Sequence, residues 1–294
     1  KIIQQKGISK VADRSTSRKP FRKRLGIILL LALIAVLVLA AILMSQHADS
    51  HALSGLPAED VPQDVPQEEE VPGQPEPPQE PERVAYNYSL PVPRNEAVDK
   101  TYFNDAIFIG NSRTEGFMLY SGLANATAYT SRGLMVNTVF TDCVINMNGK
   151  KISVMAAVKA NPNFSKVYIM LGTNELGWVY SNLFIKKYGE IIDALQAINP
   201  DAIIYVQSIL PVTKSKSAND KIYNNAKINE FNALLGKMAE EKKIYYLNVA
   251  EAVADSEGNL PEGSAYDGVH LKKAYCEKWL EYLKCHTVDL EADN

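Results

Sequence analysis

Apolar and polar positions alternate in two distinct ways along the last two thirds of this chain. Short runs rich in β-branched and aromatic residues, at 106–109, 167–171, 203–206 and 244–247, read as buried strands, with a weaker one at 126–130. Between them, residues 185–198, 226–241 and 272–283 keep apolar side chains on one side and charges on the other, the spacing of amphipathic helices. Strands that alternate with helices predict an α/β fold in which both faces of a parallel sheet are covered.

The first third follows neither pattern. Residues 25–44 form an uncharged apolar run of 20 residues. At about 1.5 Å per residue a helix of that length spans the hydrocarbon core of a bilayer, about 30 Å. The run is longer than the apolar core of a cleaved signal peptide, although a Ser-His-Ala triplet at Ser50 to Ala52 leaves cleavage open. Residues 1–24 hold nine Lys and Arg against one acid, Asp13. The positive-inside rule therefore assigns 1–24 to the cytoplasm, 25–44 to a transmembrane signal anchor and everything beyond to the outside of a cell membrane. From 45 to 97 the chain is rich in Pro and Glu and poor in large apolar residues, so it cannot build a core and reads as an extended, disordered stalk. A single folded domain is expected over 98–288, followed by a short tail at 289–294.

Net charge is −3, but it arises from a basic N-terminus and an acidic stalk that largely cancel. The basic segment suits anionic lipid rather than nucleic acid. The three cysteines, Cys143, Cys276 and Cys285, lack the spacing of a zinc site, so no metal is expected. Cys276 and Cys285 fall nine residues apart on one expected helix and should point to opposite faces, which leaves only a Cys143 pairing open.

Three segments carry candidate chemistry. Ser112 follows the strand 106–109 through Gly110 and Asn111 and opens a helix. Ser112-Arg113-Thr114-Glu115 also matches a capping box, in which the serine would only satisfy backbone N–H groups. Gly172-Thr173-Asn174 follows the strand 167–171, so its loop should emerge at the same sheet edge, where open parallel sheets build their sites. An asparagine there is either a turn residue or a neutral donor for an oxyanion. Of the four histidines, His47 and His51 flank the apolar run and His286 falls in the C-terminal tail, which leaves His270 for imidazole chemistry. Asp267 precedes it by three residues across an Asp-Gly turn and can fold back to orient the ring.

Taken together, these three blocks resemble the SGNH hydrolases, also called GDSL esterases and lipases, over about residues 103–285. The resemblance implies a three-layer α/β/α sandwich with a five-stranded parallel sheet, flavodoxin-like in type. It implies Ser112 as nucleophile, His270 as base and Asp267 as its orienting acid. It further implies an oxyanion hole built from the backbone N–H groups of Ser112 and Gly133 and the side chain of Asn174, with no cofactor. The Ile209-Leu210-Pro211 turn also looks like the family. Asn111 and Glu175 depart from it, since Asp is usual at both positions.

The expected substrate is an acylated carbohydrate or another small ester, with Trp178, Tyr180 and Tyr266 as candidate stacking surfaces for sugar rings. A membrane-tethered esterase that removes acetyl groups from an envelope polysaccharide fits the stalk best. An O-acyltransferase using the same serine, and an inactive scaffold that has kept the fold, remain open at this stage.

Overall fold

The computed structural model describes residues 86–288, and the expected basic segment, membrane anchor, most of the stalk and the tail lie outside them. In chain order the elements are β1 (Ala106–Gly110), α1 (Ser112–Tyr120), β2 (Thr127–Thr130), β3 (Ile145–Met147), β4 (Lys150–Ile152), α2 (Val154–Ala160), β5 (Lys166–Met170), α3 (Ser181–Ile198), β6 (Ile203–Gln207), α4 (Lys214–Asn219), α5 (Asn225–Lys242), β7 (Tyr245–Leu247), α6 (Ala250–Val253) and α7 (Lys273–Cys285). Short 3-10 turns at Lys100–Phe103 and Thr173–Glu175 complete them.

Five parallel strands in the order β2-β1-β5-β6-β7 make the main sheet. Strands β1, β5 and β6 are buried along their whole length, and for this reason they read as unbroken apolar runs rather than alternating ones. The alternation is still present, but it separates two apolar cores. Ile107, Ile109, Val167, Ile169, Ile204 and Val206 belong to one core with Ile191 and Leu195 of α3 and Phe231 and Leu235 of α5. Phe108, Tyr168, Tyr205 and Tyr245 belong to the other with Phe117 of α1 and Trp279 of α7.

Phe108, Tyr168, Tyr205 and Tyr245 are register partners on adjacent strands, which sets their rings in a row across the sheet. Phe108 stacks on Tyr168 at 4.8 Å between ring centres, and Tyr168 on Tyr205 at 4.7 Å. Offset aromatic pairs of this kind add about 0.5–1.5 kcal/mol each beyond the area they bury.

The expected domain start at 98 falls too late. Val92 is buried, its N–H donates to the Tyr246 carbonyl (2.9 Å), and Tyr86 and Tyr88 pack their rings against Tyr245. These apolar residues, embedded in a Pro-rich stretch, cover the outer strand β7. His286, expected in a tail, is buried with its ring stacked on Tyr282, and its Nδ1–H donates to the Tyr282 carbonyl (2.7 Å). The β3–β4 hairpin was not anticipated. It turns at Asn148-Gly149, both with positive φ, the pair favoured by a two-residue hairpin turn. Among the described residues all three thiols are free, Cys143 at the surface and Cys276 and Cys285 buried.

Strand order reverses between β1 and β5: the chain leaves β1 toward β2 on one side and returns to β5 on the other. Loops at the carboxyl ends of those two strands therefore diverge and leave a crevice between them. Ser112 and Asn174 both lie there.

Candidate active site

Asn111, not Ser112, caps α1. Its backbone is extended, and its Oδ1 accepts from the Arg113 N–H at 3.1 Å. The serine is consequently the first helical residue, and its hydroxyl is released from the capping duty that the Ser112–Glu115 spacing suggested. Helix geometry leaves the first N–H groups without intrahelical acceptors, and the same end carries the positive pole of the helix dipole.

The hydroxyl meets His270 instead, with Ser112 Oγ 2.9 Å from His270 Nε2. His270 Nδ1 lies 2.8 Å from Asp267 Oδ2. The second carboxylate oxygen, Oδ1, accepts from the backbone N–H groups of His270 (2.8 Å) and Val269 (3.0 Å). Since a carboxylate can only accept, Nδ1 carries the proton in the neutral ring and Nε2 is left to accept from the serine hydroxyl. Partial burial pushes the Asp267 carboxyl up, but the hydrogen bonds from His270 and Val269 outweigh it and hold the group down at about 2.

Local backbone chemistry fixes this turn. Gly268 has φ +80, and a Cβ there would fall 2.8 Å from Thr213 Oγ1 and from Lys216 Cβ. The Gly268 carbonyl accepts from the Thr213 N–H (3.0 Å), which anchors the turn to the segment after β6. Ala265 and Leu271 form an antiparallel bridge that closes the loop at its base.

A second set of contacts links the turn that contains Gly133 to Asn174 and to the end of β1. The Ser131 N–H donates to the Gly110 carbonyl (3.2 Å), which carries the turn containing Gly133 up to the end of β1. Gly133 has φ +75. Asn174 Nδ2 donates to the Leu134 carbonyl at 3.0 Å, so one of its two amide protons is committed to the same turn. Gly172, with φ +123, admits no side chain, because a Cβ would sit 2.3 Å from Ile209 Cδ1.

Two charged groups beside the site were not singled out from the sequence. Arg113 is buried and donates to the carbonyls of Leu210 and Pro211, the latter at 2.9 Å. Burial lowers its pKa to about 10, against the opposing pull of Asp267. The visible signal was an arginine directly after Ser112 in a helix whose neighbouring positions are buried. Glu175, noted only as a departure, has no exposed surface. Its Oε1 accepts from the Val136 N–H at 2.6 Å, and Oε2 has no protein partner. Burial pushes its carboxyl up to about 7. Asn174 and Glu175 thus hold the 133–136 turn by a carbonyl and an N–H respectively.

Ser112 and His270 open onto a cleft of about 520 Å³ lined by α1 and by the loop before α7. Tyr266 stands on its wall, whereas Trp178 and Tyr180 are not among its lining residues. Trp178 is half-buried against the core, and Tyr180 is exposed at the start of α3. Among the described residues no cluster of three or more His, Cys, Asp or Glu side chains could hold a metal ion.

The model of the GDSL-like lipase/acylhydrolase family matches residues 108–275, from within β1 into α7 and across all three blocks. The chain belongs to that family. It is an esterase of the SGNH type. Among solved structures it is similar to a Streptococcus pneumonia protein provisionally described as a platelet activating factor, with 21% identity and a TM-score of 0.50 over 63% of this chain and 89% of that one. It is also similar to a GDSL-like lipase from Bacteroides thetaiotaomicron, with 17% identity and a TM-score of 0.48 over 67% and 91%. At 21% identity the first likeness speaks for the fold alone. No curated protein matched the chain.

Proposed function

We propose that this esterase removes small acyl groups, chiefly O-acetyl, from carbohydrate through an acyl-serine intermediate, with its domain tethered outside the cell by residues 25–44. The observation that carries the chemistry is the hydrogen-bonded series from Ser112 Oγ through His270 to Asp267 at the mouth of an open cleft.

In this reading Ser112 Oγ attacks the ester carbon while its proton passes to His270 Nε2. Asp267 remains ionised and stabilises the imidazolium by accepting from Nδ1–H. The carbonyl oxygen takes up the displaced electron pair, and the N–H groups of Ser112 and Gly133 and the uncommitted amide proton of Asn174 donate to it. Collapse expels the alcohol oxygen, which takes the proton from His270. Water then repeats the sequence on the acyl-serine, giving the free acid and regenerating the hydroxyl. The 2.9 and 2.8 Å contacts lie within the reach that proton transfer requires.

The basic flank, the 20-residue apolar run and the Pro/Glu-rich stretch support the tether and the choice of an extracellular polymer over a diffusible metabolite. Acetate release by the full chain from a panel of acetylated glycans and simple esters, with fluorophosphonate labelling mapped by mass spectrometry, tests the reading. Labelling of Ser112 together with acetate release is the expected result. Turnover that persists after Ser112 is fully blocked would rule out the covalent route. Acetyl groups appearing on an added sugar acceptor in place of free acetate would make the enzyme a transferase.

A further inference from the structure

Helix α1 presents Ser112, Gly116, Leu119 and Tyr120 at positions i, i+4, i+7 and i+8, a single face about 12 Å long from first to last. All four line the cleft that opens at Ser112, together with Glu115, Arg132, Tyr266, Leu271 and Cys276, whose Sγ lies 3.8 Å from the Gly116 carbonyl. Gly116 is the unexpected residue on this face. A glycine inside a helix costs about 1 kcal/mol relative to alanine. A Cβ at Gly116 would meet no heavy atom within 4 Å, so packing against the protein does not require its absence. The missing side chain leaves that part of the cleft open.

What lines the cleft indicates what enters it. Leu119 and Tyr266 are 70% and 67% exposed and Tyr120 is also exposed, a large amount of apolar surface left in water beside a reactive serine. An acyl chain lying on these residues would keep much of its own length in water, because the cleft is an open trough. A pyranose ring matches the trough better, since it offers a C–H face to a tyrosine and hydroxyls at its edge. The Glu115–Arg132 pair in the cleft lining, with its closest contact a long 3.6 Å, supplies an acceptor and a fork of donors at that edge.

We propose that the Gly116 cleft is a subsite for a pyranose ring of the glycan whose acyl group reaches Ser112, with Tyr120 and Tyr266 as its stacking surfaces and Glu115 and Arg132 as hydroxyl partners. This rests on the carbohydrate-esterase reading and makes it specific. The site selects the alcohol side of the ester, and it does so next to His270, which protonates that alcohol as it leaves. Filling the trough penalises glycan esters far more than esters of small alcohols.

The test measures kcat/KM of the full chain on short O-acetylated xylo- and chito-oligosaccharides relative to methyl acetate. Gly116→Leu is expected to lower this ratio by about tenfold or more, through KM rather than kcat. Tyr120→Ala and Tyr266→Ala lower it as well, and the corresponding Phe variants restore it. The tyrosine variants decide the matter should Gly116→Leu fail to fold. A ratio indifferent to all of these substitutions overturns the subsite while leaving the esterase intact. Selective loss on methyl octanoate with glycan esters unaffected overturns it in favour of an acyl-chain groove. Where wild type hydrolyses no ester at all, the esterase reading fails separately, and calorimetric titration with the deacetylated oligosaccharides decides the subsite: binding weakened by Gly116→Leu supports it, and no binding to wild type overturns it.

Discussion

Ser112 is free to meet His270 because its neighbour caps the helix. With Asn111 Oδ1 on the Arg113 N–H, the serine hydroxyl stays on His270 Nε2. Ser112→Ala and His270→Ala should each reduce ester turnover to near background without lowering the thermal midpoint, and the double variant should cost little more, because residues acting as a unit are non-additive. Asp267→Asn should keep part of the activity, since nucleophile and base remain but the tautomer is no longer enforced. In the proposed mechanism Asn174→Ala removes an oxyanion donor, and it also frees the Leu134 carbonyl. Steady-state kinetics should show kcat reduced by about 10²–10³ with a smaller change in KM. A raised KM at unchanged kcat would reassign Asn174 to substrate binding.

Glu175 gives the residue scale a pH signature. Between its ordinary value of 4.5 and about 7, the folded protein holds on this carboxyl a proton that the unfolded chain has released. Raising the pH through that window therefore favours unfolding, by at most about 3 kcal/mol for a shift of this size. Glu175→Gln keeps an acceptor for the Val136 N–H and cannot titrate. Urea midpoints of wild type should fall from pH 5 to pH 8 by more than those of Glu175→Gln. Equal slopes would mean that the carboxyl is relaxed in solution and ionises near its ordinary value.

At the scale of elements, the long and strongly patterned pieces were legible. The runs at 106–109, 167–171, 203–206 and 244–247 became β1, β5, β6 and β7 within a residue or so at each end, and α3, α5 and α7 extend their amphipathic stretches by no more than four residues. What was missed was short. Strands β3 and β4 and helices α2, α4 and α6 have at most seven residues each, too few for periodicity to register. The capping alternative for Ser112 arose because capping patterns do not distinguish adjacent polar residues, and Asn111 takes that role. That the loops after β1 and β5 would share a sheet edge was legible, since each follows an apolar strand of a parallel sheet. Arg113 was not, because its partners are main-chain carbonyls, which no sequence pattern marks. It joins α1 to the segment after β6 through Leu210 and Pro211. Arg113→Met leaves both carbonyls buried without these donors, and at about 1–3 kcal/mol for each unsatisfied group the protein should lose about 2–6 kcal/mol in urea denaturation. A loss no greater than that of a surface substitution would show that the loop relaxes and finds other donors.

For the whole molecule, the decisive question is where folding begins along the chain. Composition put the boundary at 98, on the reasoning that Pro-rich and Glu-rich sequence cannot be packed. Val92 contradicts this by lying buried in the core that also holds Tyr245 and Trp279, with its N–H on the Tyr246 carbonyl. Asn95 reinforces the attachment by donating its backbone N–H to the Cys285 carbonyl (2.6 Å) and its side chain to the Thr287 carbonyl (2.7 Å), which ties the incoming segment to the end of α7. A chain trimmed to begin at 84 should therefore be monodisperse and melt cooperatively, with activity on simple esters equal to that of the full chain in detergent. A chain begun at 98 should be weaker by at least the burial of one valine, about 1.5–3 kcal/mol, and should expose the outer strand β7 to intermolecular pairing. Denaturation midpoints and light scattering of the two trimmed proteins make the comparison. Equal stability would return residues 86–97 to the stalk, and activity that depended on residues 25–44 would remove the distinction between an anchor and a catalytic part.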